Sequence, residues 1–251
     1  MSKHTFERRE KKILIDNSKV ADFTRDICEY MVPDEYNIDG EPYMISNLYF
    51  DDELDSVIMH SVSKPRYKEK LRVRSYGVPD ENTKVFIEIK KKLRGVGTKR
   101  RAKITLAQLN EYLATGKHPN GIKYIDEQVL CEIDYYRQTY DVYPKVYISY
   151  MRNAYFGKEN KNFRVTIDKE ITTRRYDLDL SLGSYGDQLL PEGKSLLEIK
   201  FDGAVPFWFA RIMSKYSLSF GSYSKYGTEY KTLQRSLKRS KLEDKSRKEN
   251  T

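Results

Sequence analysis

The sequence predicts an α+β fold, an antiparallel β-barrel or tunnel of about eight or nine strands with helices packed on the outside. Three observations lead there. Charged and apolar residues alternate along segments of strand length, as in KEKLRVRSY and KVFIEIKKK. Turn clusters such as Gly77-Val78-Pro79-Asp80-Glu81-Asn82 separate such segments at hairpin spacing. Segments of helical period lie between them, and their apolar faces need a sheet to cover.

The elements follow in chain order. Residues 6–15 (FERREKKILI) read as a first strand. Residues 18–31 read as a helix, with Ser18 able to cap it and Val20, Phe23, Ile27 and Tyr30 recurring on one face. Residues 43–51 (YMISNLYFD) form a strand, and 53–63 a short helix stopped before Pro65. Residues 68–76 and 84–92 make a strand pair around the turn cluster. Gly95 and Gly97 mark a second turn, after which 99–105 (KRRAKIT) returns as a strand. Residues 106–115 and 122–138 read as helices, and 146–156 (VYISYMRNAYF) as a long strand. Residues 163–168 (FRVTID) and 173–180 form the next strand pair, and 195–201 (SLLEIKF) the last strong strand. Residues 205–218 read as an apolar helix carrying the single tryptophan, Trp208. No repeat and no composition shift divides the chain, so residues 1–234 read as one domain. Residues 235–251 have few apolar side chains and a positive balance, and read as a basic, disordered tail. Contact of that tail with an anionic membrane surface or polyanion is the sharper reading.

Charge narrows the partner. Lys and Arg number 46 against 37 Asp and Glu, a net +9, which points to an anion: nucleic acid, an anionic membrane or a phosphate compound. Twenty-one tyrosines suit a half-wet sheet, each offering an apolar body and a polar tip. Cys28 and Cys131 have no metal spacing, and the expected compartment is a reducing cytoplasm. His4, His60 and His118 are scattered, so any metal would be a hard ion on carboxylates. The N-terminus lacks the apolar core of a signal peptide, and no run approaches the length of a membrane span. Gly-x-Ser-x-Gly, His-Glu-x-x-His and phosphate-loop motifs are absent, which removes the corresponding hydrolases and nucleotidases.

The chemistry lies in which charges share a strand face. Strand alternation groups Arg8, Glu10 and Lys12; then Lys70, Arg72 and Arg74; then Glu88 and Lys90; then Lys99 and Arg101. Later strands add Arg152, then Arg164 and Asp168, then Glu198 and Lys200. The opposite faces are apolar, as with Leu71 and Val73, or Val85, Ile87 and Ile89. A half-exposed sheet would turn the charges to water. The inserted helices argue the other way, because covering the apolar faces leaves the charged ones to meet across a barrel interior. Such an interior is self-repelling unless it is wet and holds a polyanion. Arg supplies forks that match phosphate oxygens and Lys supplies compact charges. Glu10, Glu88 and Glu198 would either hold Mg²⁺ or Mn²⁺ or pair with neighbouring cations.

These residues, in this order, resemble the VTC-type polyphosphate polymerase domain of the triphosphate tunnel metalloenzyme (CYTH-like) superfamily. The likeness runs from about residue 5 to 232 through Arg8-x-Glu10-x-Lys12, LYFD (48–51), LRVR (71–74), IEIK (87–90), TKRR (98–101), YMRNAYF (150–156), FRVTID (163–168), LLEIKF (196–201) and SYSKYG (222–227). The resemblance implies a divalent-metal-dependent transfer of the terminal phosphate of ATP onto inorganic polyphosphate. It implies phosphate-binding roles for Arg72, Arg74, Lys90, Lys99, Arg101, Arg152, Arg164, Lys200 and Lys225, with Arg72, Arg74, Lys90 and Lys200 at the reacting phosphate. Glu198 would be the main metal ligand, with Glu10 and Glu88 beside it, and Arg8 and Lys12 would contact nucleotide or chain phosphates. A membrane protein partner for product export, at the inner face of a membrane, is a further expectation.

One departure matters. Hydrolytic tunnel enzymes are similar but carry Glu-x-Glu-x-Lys on the first strand, where this chain has Arg8-x-Glu10-x-Lys12. A cation in place of a carboxylate weakens two-metal activation of water. A hydrolase of triphosphate or nucleoside triphosphate remains the alternative, as does a non-catalytic module for polyphosphate or inositol phosphate. Sequence-specific nucleic acid is not expected, because the carboxylates sharing the basic faces repel its backbone. Tyr49, Tyr150 and Tyr226 are candidates for stacking on a base, with packing as the plainer role.

Overall fold

The computed structural model describes residues 8–94 and 96–249, with side chains described for residues 9–94 and 96–244. It is one antiparallel sheet of ten strands with six α-helices among these residues. The strands are β1 (Arg8–Asp16), β2 (Met31–Pro33), β3 (Tyr43–Asp51), β4 (Tyr67–Tyr76), β5 (Lys84–Leu93), β6 (Val96–Thr105), β7 (Tyr143–Gly157), β8 (Arg164–Arg174), β9 (Asp187–Gln188) and β10 (Lys194–Asp202). The helices are α1 (Asn17–Cys28), α2 (Ser56–Val62), α3 (Leu106–Thr115), α4 (Tyr124–Tyr140), α5 (Phe207–Lys215) and α6 (Lys225–Glu249).

The sheet order is β1-β10-β8-β7-β3-β4-β5-β6, with β2 added to β7 and β9 to β8. The expected barrel is therefore not closed by hydrogen bonds: β1 and β6 are edges. The sheet nevertheless curls. Lys90 on β5 lies in the electrostatic field of Glu10, Lys12 and Lys200 on β1 and β10, although five strands separate β1 from β5 along the sheet.

Helices cover the outer face in two groups. α3 and α4 pack on β4, β5 and β6 through Leu109, Tyr112, Leu130 and Ile133 against Leu71, Val73, Ile87 and Ile104. α1 and α5 pack on β1, β8 and β10 through Phe23, Ile27 and Phe209 against Ile13, Val165 and Ile199. Phe23 and Phe209 meet edge to face, an arrangement aromatic rings favour. A third cluster, with Ile45, Ile148, Ile171, Leu196 and Tyr226, joins α2 and α6 to the sheet. At full burial each such side chain contributes about 1.5–3 kcal/mol.

Local chemistry explains most boundaries. α3 starts in a capping box: Gln108 N donates to Thr105 Oγ1 at 3.1 Å, and Thr105 N donates to Gln108 Oε1 at 3.0 Å. It ends at Gly116 in the left-handed conformation, φ 74°. α1 departs from expectation, starting at Asn17 with Asp16 before it and no side-chain cap from Ser18. The strand expected at 173–180 is absent, because β8 continues to Arg174 past a left-handed Glu170 and the chain then leaves the sheet. The segment from 235 does not stand apart as a tail here: α6 runs on to Glu249. Its Lys, Arg, Leu, Gln and Glu residues are strong helix formers, and Arg239 pairs with Glu243 one turn on at 2.9 Å.

Candidate functional site

Strand register carries the site. Residues opposite one another in an antiparallel pair share a face. The pairs Glu10–Lys200, Lys12–Glu198, Lys200–Arg164 and Arg152–Asp168 extend from β1 to β7. Arg152–Tyr43, Asn47–Arg74, Tyr49–Arg72, Arg72–Glu88, Lys70–Lys90, Glu88–Arg101 and Lys90–Lys99 continue it to β6. Thus the charges grouped by alternation lie on one continuous concave face. Arg8 opposes Asp202 on β1, and its side chain lies outside the described residues.

The wall made by β1, β10, β8 and β7 is internally neutralised. Glu198 is buried, with Lys200 Nζ at 2.5 Å and Lys12 Nζ at 3.5 Å. Burial opposes its charge, yet Lys200, Lys12, Arg152 and Lys225 together hold its carboxyl well below the usual range. Glu10 sits 2.9 Å from Lys12 and 3.8 Å from Lys200. Burial and the charge of Glu198 push the Glu10 carboxyl up, and Lys12, Lys200 and Lys90 outweigh them and bring it down. Arg152 grips the fully buried Asp168 with two bonds, 2.6 and 2.8 Å. Lys225 adds a third at 2.5 Å. Arg164 reaches Asp34 at 3.2 Å.

The wall made by β4, β5 and β6 has an excess of cations. Glu88 is the one carboxylate that pairs with cations on its concave face among the described residues. Arg72 reaches it at 2.8 and 2.9 Å and Lys99 at 3.0 Å. Burial resists its charge, but Arg72, Arg74 and Lys99 push its carboxyl down to about 2. Arg74 rests on neutral groups, donating to Asn47 Oδ1 at 3.1 Å and to the Tyr150 hydroxyl at 3.5 Å. Lys70 and Lys90 have no described carboxylate within ion-pair distance. Burial, then Lys68, Lys12 and Lys90, push the Lys70 ammonium down to about 7. Arg101 is exposed and lies 4.6 Å from the Phe86 ring centre. Tyr150 is buried between the walls; burial would raise its hydroxyl, but Arg152, Arg74 and Lys225 draw it down to about 8.

Lys225 comes from α6, and a polar clamp sets its place. Asp51 is fully buried and accepts from the Val57 and Ile58 amides at the start of α2, at 2.8 and 2.9 Å. It also accepts from the Tyr226 hydroxyl at 2.5 Å. Arg175 bridges Asp55 and Glu229 at 2.8 and 2.7 Å, tying α6 to the loop before α2. Gly227 permits the approach: an added Cβ would lie 3.2 Å from Ser224 and 3.3 Å from Val62. The LYFD and SYSKYG segments therefore act together, one locking the helix that carries the other's lysine.

The three glutamates expected to share a metal do not gather at one point. Glu10 and Glu198 are neighbours and share Lys12 and Lys200. Glu88 sits on the other wall between Arg72 and Lys99, and no group of three or more potential ligands forms among the described residues. A pair of neighbouring carboxylates still fits Mg²⁺ or Mn²⁺, which take one or two carboxylates and complete their shell with phosphate and water. Glu10 and Glu198 are that pair. Tyr49 and Tyr226 are engaged in packing and in bonds to Arg72 and Asp51. Sequence reading left Lys70 and Asp168 out of the site. Both were visible in the alternation with Arg72 and Arg164, but nothing local marked Asp168 as the seat of Arg152 and Lys225.

The VTC domain family model matches residues 7–234. No curated protein sequence matches the chain significantly. Among solved structures, a Hippeastrum protein named for adenylyl cyclase, with a dominant triphosphatase activity, superimposes with TM-score 0.50 at 15% identity, covering 86% of this chain and 92% of its own. A Bacillus halodurans protein named for adenylate cyclase gives 0.48 at 15% identity over 87% and 95%. One from Vibrio parahaemolyticus, named likewise, gives 0.47 at 11% identity over 91% and 99%. No helix of the described residues is long and apolar enough to cross a membrane.

Proposed function

This chain belongs to the VTC domain family, and we propose that it transfers the terminal phosphate of ATP onto a growing inorganic polyphosphate chain in its basic groove. The observation that carries this reading is the asymmetry of the groove. A neutralised, carboxylate-bearing wall faces one where Glu88 pairs with Arg72 and Lys99, while Lys70, Arg74, Lys90 and Arg101 on the same strands have no described carboxylate within ion-pair distance. A repeating anion without base-specific contacts satisfies such a surface.

Arg72, Arg74, Lys90 and Lys200 would surround the transferred phosphate, and Lys12, Lys99, Arg101, Arg152, Arg164 and Lys225 the neighbouring ones. Arg8 belongs with this second group by position on β1. An anionic oxygen of the polyphosphate end forms the new P–O bond, the bond to the β-phosphate breaks, and ADP leaves with that electron pair. The attacking oxygen is already ionised at neutral pH, so the groove needs no general base. Fixed cations instead align two polyanions and offset the charge that accumulates between them. A divalent ion held by Glu10 and Glu198 would neutralise phosphate oxygens at the same point.

The test is incubation of the full chain with ATP and Mn²⁺ or Mg²⁺, followed by assay of ADP and long-chain polyphosphate. Chains that form, and are lost in Glu198→Gln and Arg74→Ala, carry the reading. Orthophosphate without chains would replace it with a triphosphate hydrolase, and tight polyphosphate binding without turnover with a binding module.

A further inference from the structure

The lysines of the groove fall into two states. Lys12 holds Glu10 at 2.9 Å, Lys99 holds Glu88 at 3.0 Å, Lys200 holds Glu198 at 2.5 Å and Lys225 holds Asp168 at 2.5 Å. A carboxylate at that distance favours the ammonium, whose lone pair is taken by a proton. Lys70 has no such partner. It is half-buried on β4 and directly opposes Lys90 on β5, just as Lys68 opposes Lys92 one same-face step away. Like charges placed opposite one another across a strand pair repel. The Lys70 Nζ lies 5.6 Å from the centre of the Tyr226 ring. Asp51, beyond that ring, favours the charged form, but its oxygens are engaged by the Tyr226 hydroxyl and by the Val57 and Ile58 amides.

This surrounding makes Lys70 a nucleophile. Burial, then Lys68, Lys12 and Lys90, bring its ammonium down to about 7. Near neutral pH about half of the Lys70 side chains are therefore free amines. Desolvation beside other cations is a recognised way to activate a lysine. Burial lowers Lys68 and Lys90 as well. The Lys68 Nζ, however, donates to the Ser61 carbonyl at 3.3 Å, and Lys90 is exposed.

The same face draws phosphates. Arg72 and Arg74 follow Lys70 on β4 at successive same-face steps of roughly 7 Å. A small electrophile with a phosphate at one end would rest that end on these guanidiniums and bring its other end to Lys70. We propose that Lys70 is a covalent modification site for small acyl phosphates. The proposal rests on the phosphate-groove reading above and adds a reaction to it. The Nζ lone pair attacks the acyl carbon and forms an amide bond. The bond from that carbon to the bridging oxygen breaks, and orthophosphate leaves with the electron pair. The proton released from the amine passes to the departing phosphate. The amide is uncharged, so the reaction removes one unpaired cation from the groove.

The test is incubation of the full chain at about pH 7.5 with acetyl phosphate or, separately, with the uncharged reagent N-acetoxysuccinimide. Acetylation of each lysine is followed by peptide mass spectrometry. With acetyl phosphate, Lys70 is expected to react at least about tenfold faster than Lys12, Lys200, Lys225 and the exposed Lys238, and tripolyphosphate is expected to protect it. With N-acetoxysuccinimide, Lys70 is expected to keep its lead. Lys70 reacting no faster than Lys238 with either reagent overturns the site, and tripolyphosphate binding seen by calorimetry then leaves the groove reading standing. A lead with the uncharged reagent alone overturns the acyl-phosphate site. If tripolyphosphate also fails to protect Lys70, the groove reading falls with it.

Discussion

The two walls of the groove use the same residue types for opposite purposes. On β1, β10, β8 and β7, Lys12, Lys200, Arg152, Lys225 and Arg164 each have a carboxylate within 3.5 Å. On β4, β5 and β6, Glu88 pairs with Arg72 and Lys99, and Lys70 and Lys90 lack any described carboxylate partner. Pairing on the first wall fixes geometry before a ligand arrives. Excess on the second leaves electrostatic free energy to be released when an anion binds. A groove built only like the first wall would attract no polyanion, and one built only like the second would be hard to fold.

Removing one cation from each wall should separate the two. Arg152→Ala strips Asp168 of its bidentate partner and leaves a buried carboxylate with Lys225 alone. A stability loss of about 3–5 kcal/mol is expected in urea unfolding. Arg74→Ala removes a cation that bonds only neutral groups, so the loss should be about 1–2 kcal/mol. Equal losses would erase the distinction.

Protons sharpen it further. Lys70 titrates at about 7 in the folded chain, against an ordinary value of 10.5. Between these values the unfolded chain holds a proton that the native chain lacks, so this group makes stability rise with pH from about 7 toward 10. An anion in the groove favours the charged ammonium. Tripolyphosphate binding at pH 8 should therefore take up protons, read as a buffer-dependent enthalpy, and Lys70→Met should remove that uptake. The smallest effect belongs outside the groove. Arg239→Ala breaks an exposed helix pair on α6 and should change stability by less than about 0.5 kcal/mol.

Much of this was legible in the chain. β3 and α3 have the bounds their patterns indicate, because YMISNLYFD has strong strand residues and Thr105 with Gln108 marks a helix start. The charged face could be read strand by strand, since alternation decides it without knowledge of partners. What stayed hidden depends on distant segments. β2 and β9 have three and two residues and exist only as additions to β7 and β8. The seating of Lys225 on Asp168 needs the Asp51 and Arg175 clamps, which join segments over a hundred positions apart. The open edge between β1 and β6 follows from curvature that no local pattern records. The ring cluster of Tyr36, Tyr43, Tyr76 and Phe86 likewise draws on four separate segments.

The most direct measurement is the affinity of Lys90→Ala for inorganic tripolyphosphate, beside wild type and the exposed-helix variant Lys238→Ala. Lys90 is exposed on the cation-rich wall and has no described carboxylate partner, so its loss should leave thermal stability unchanged. The account predicts an affinity about tenfold weaker for Lys90→Ala, a difference of about 1.4 kcal/mol, and no change for Lys238→Ala. Equal affinity for all three proteins would contradict the claim that the unneutralised wall is where the phosphate chain binds.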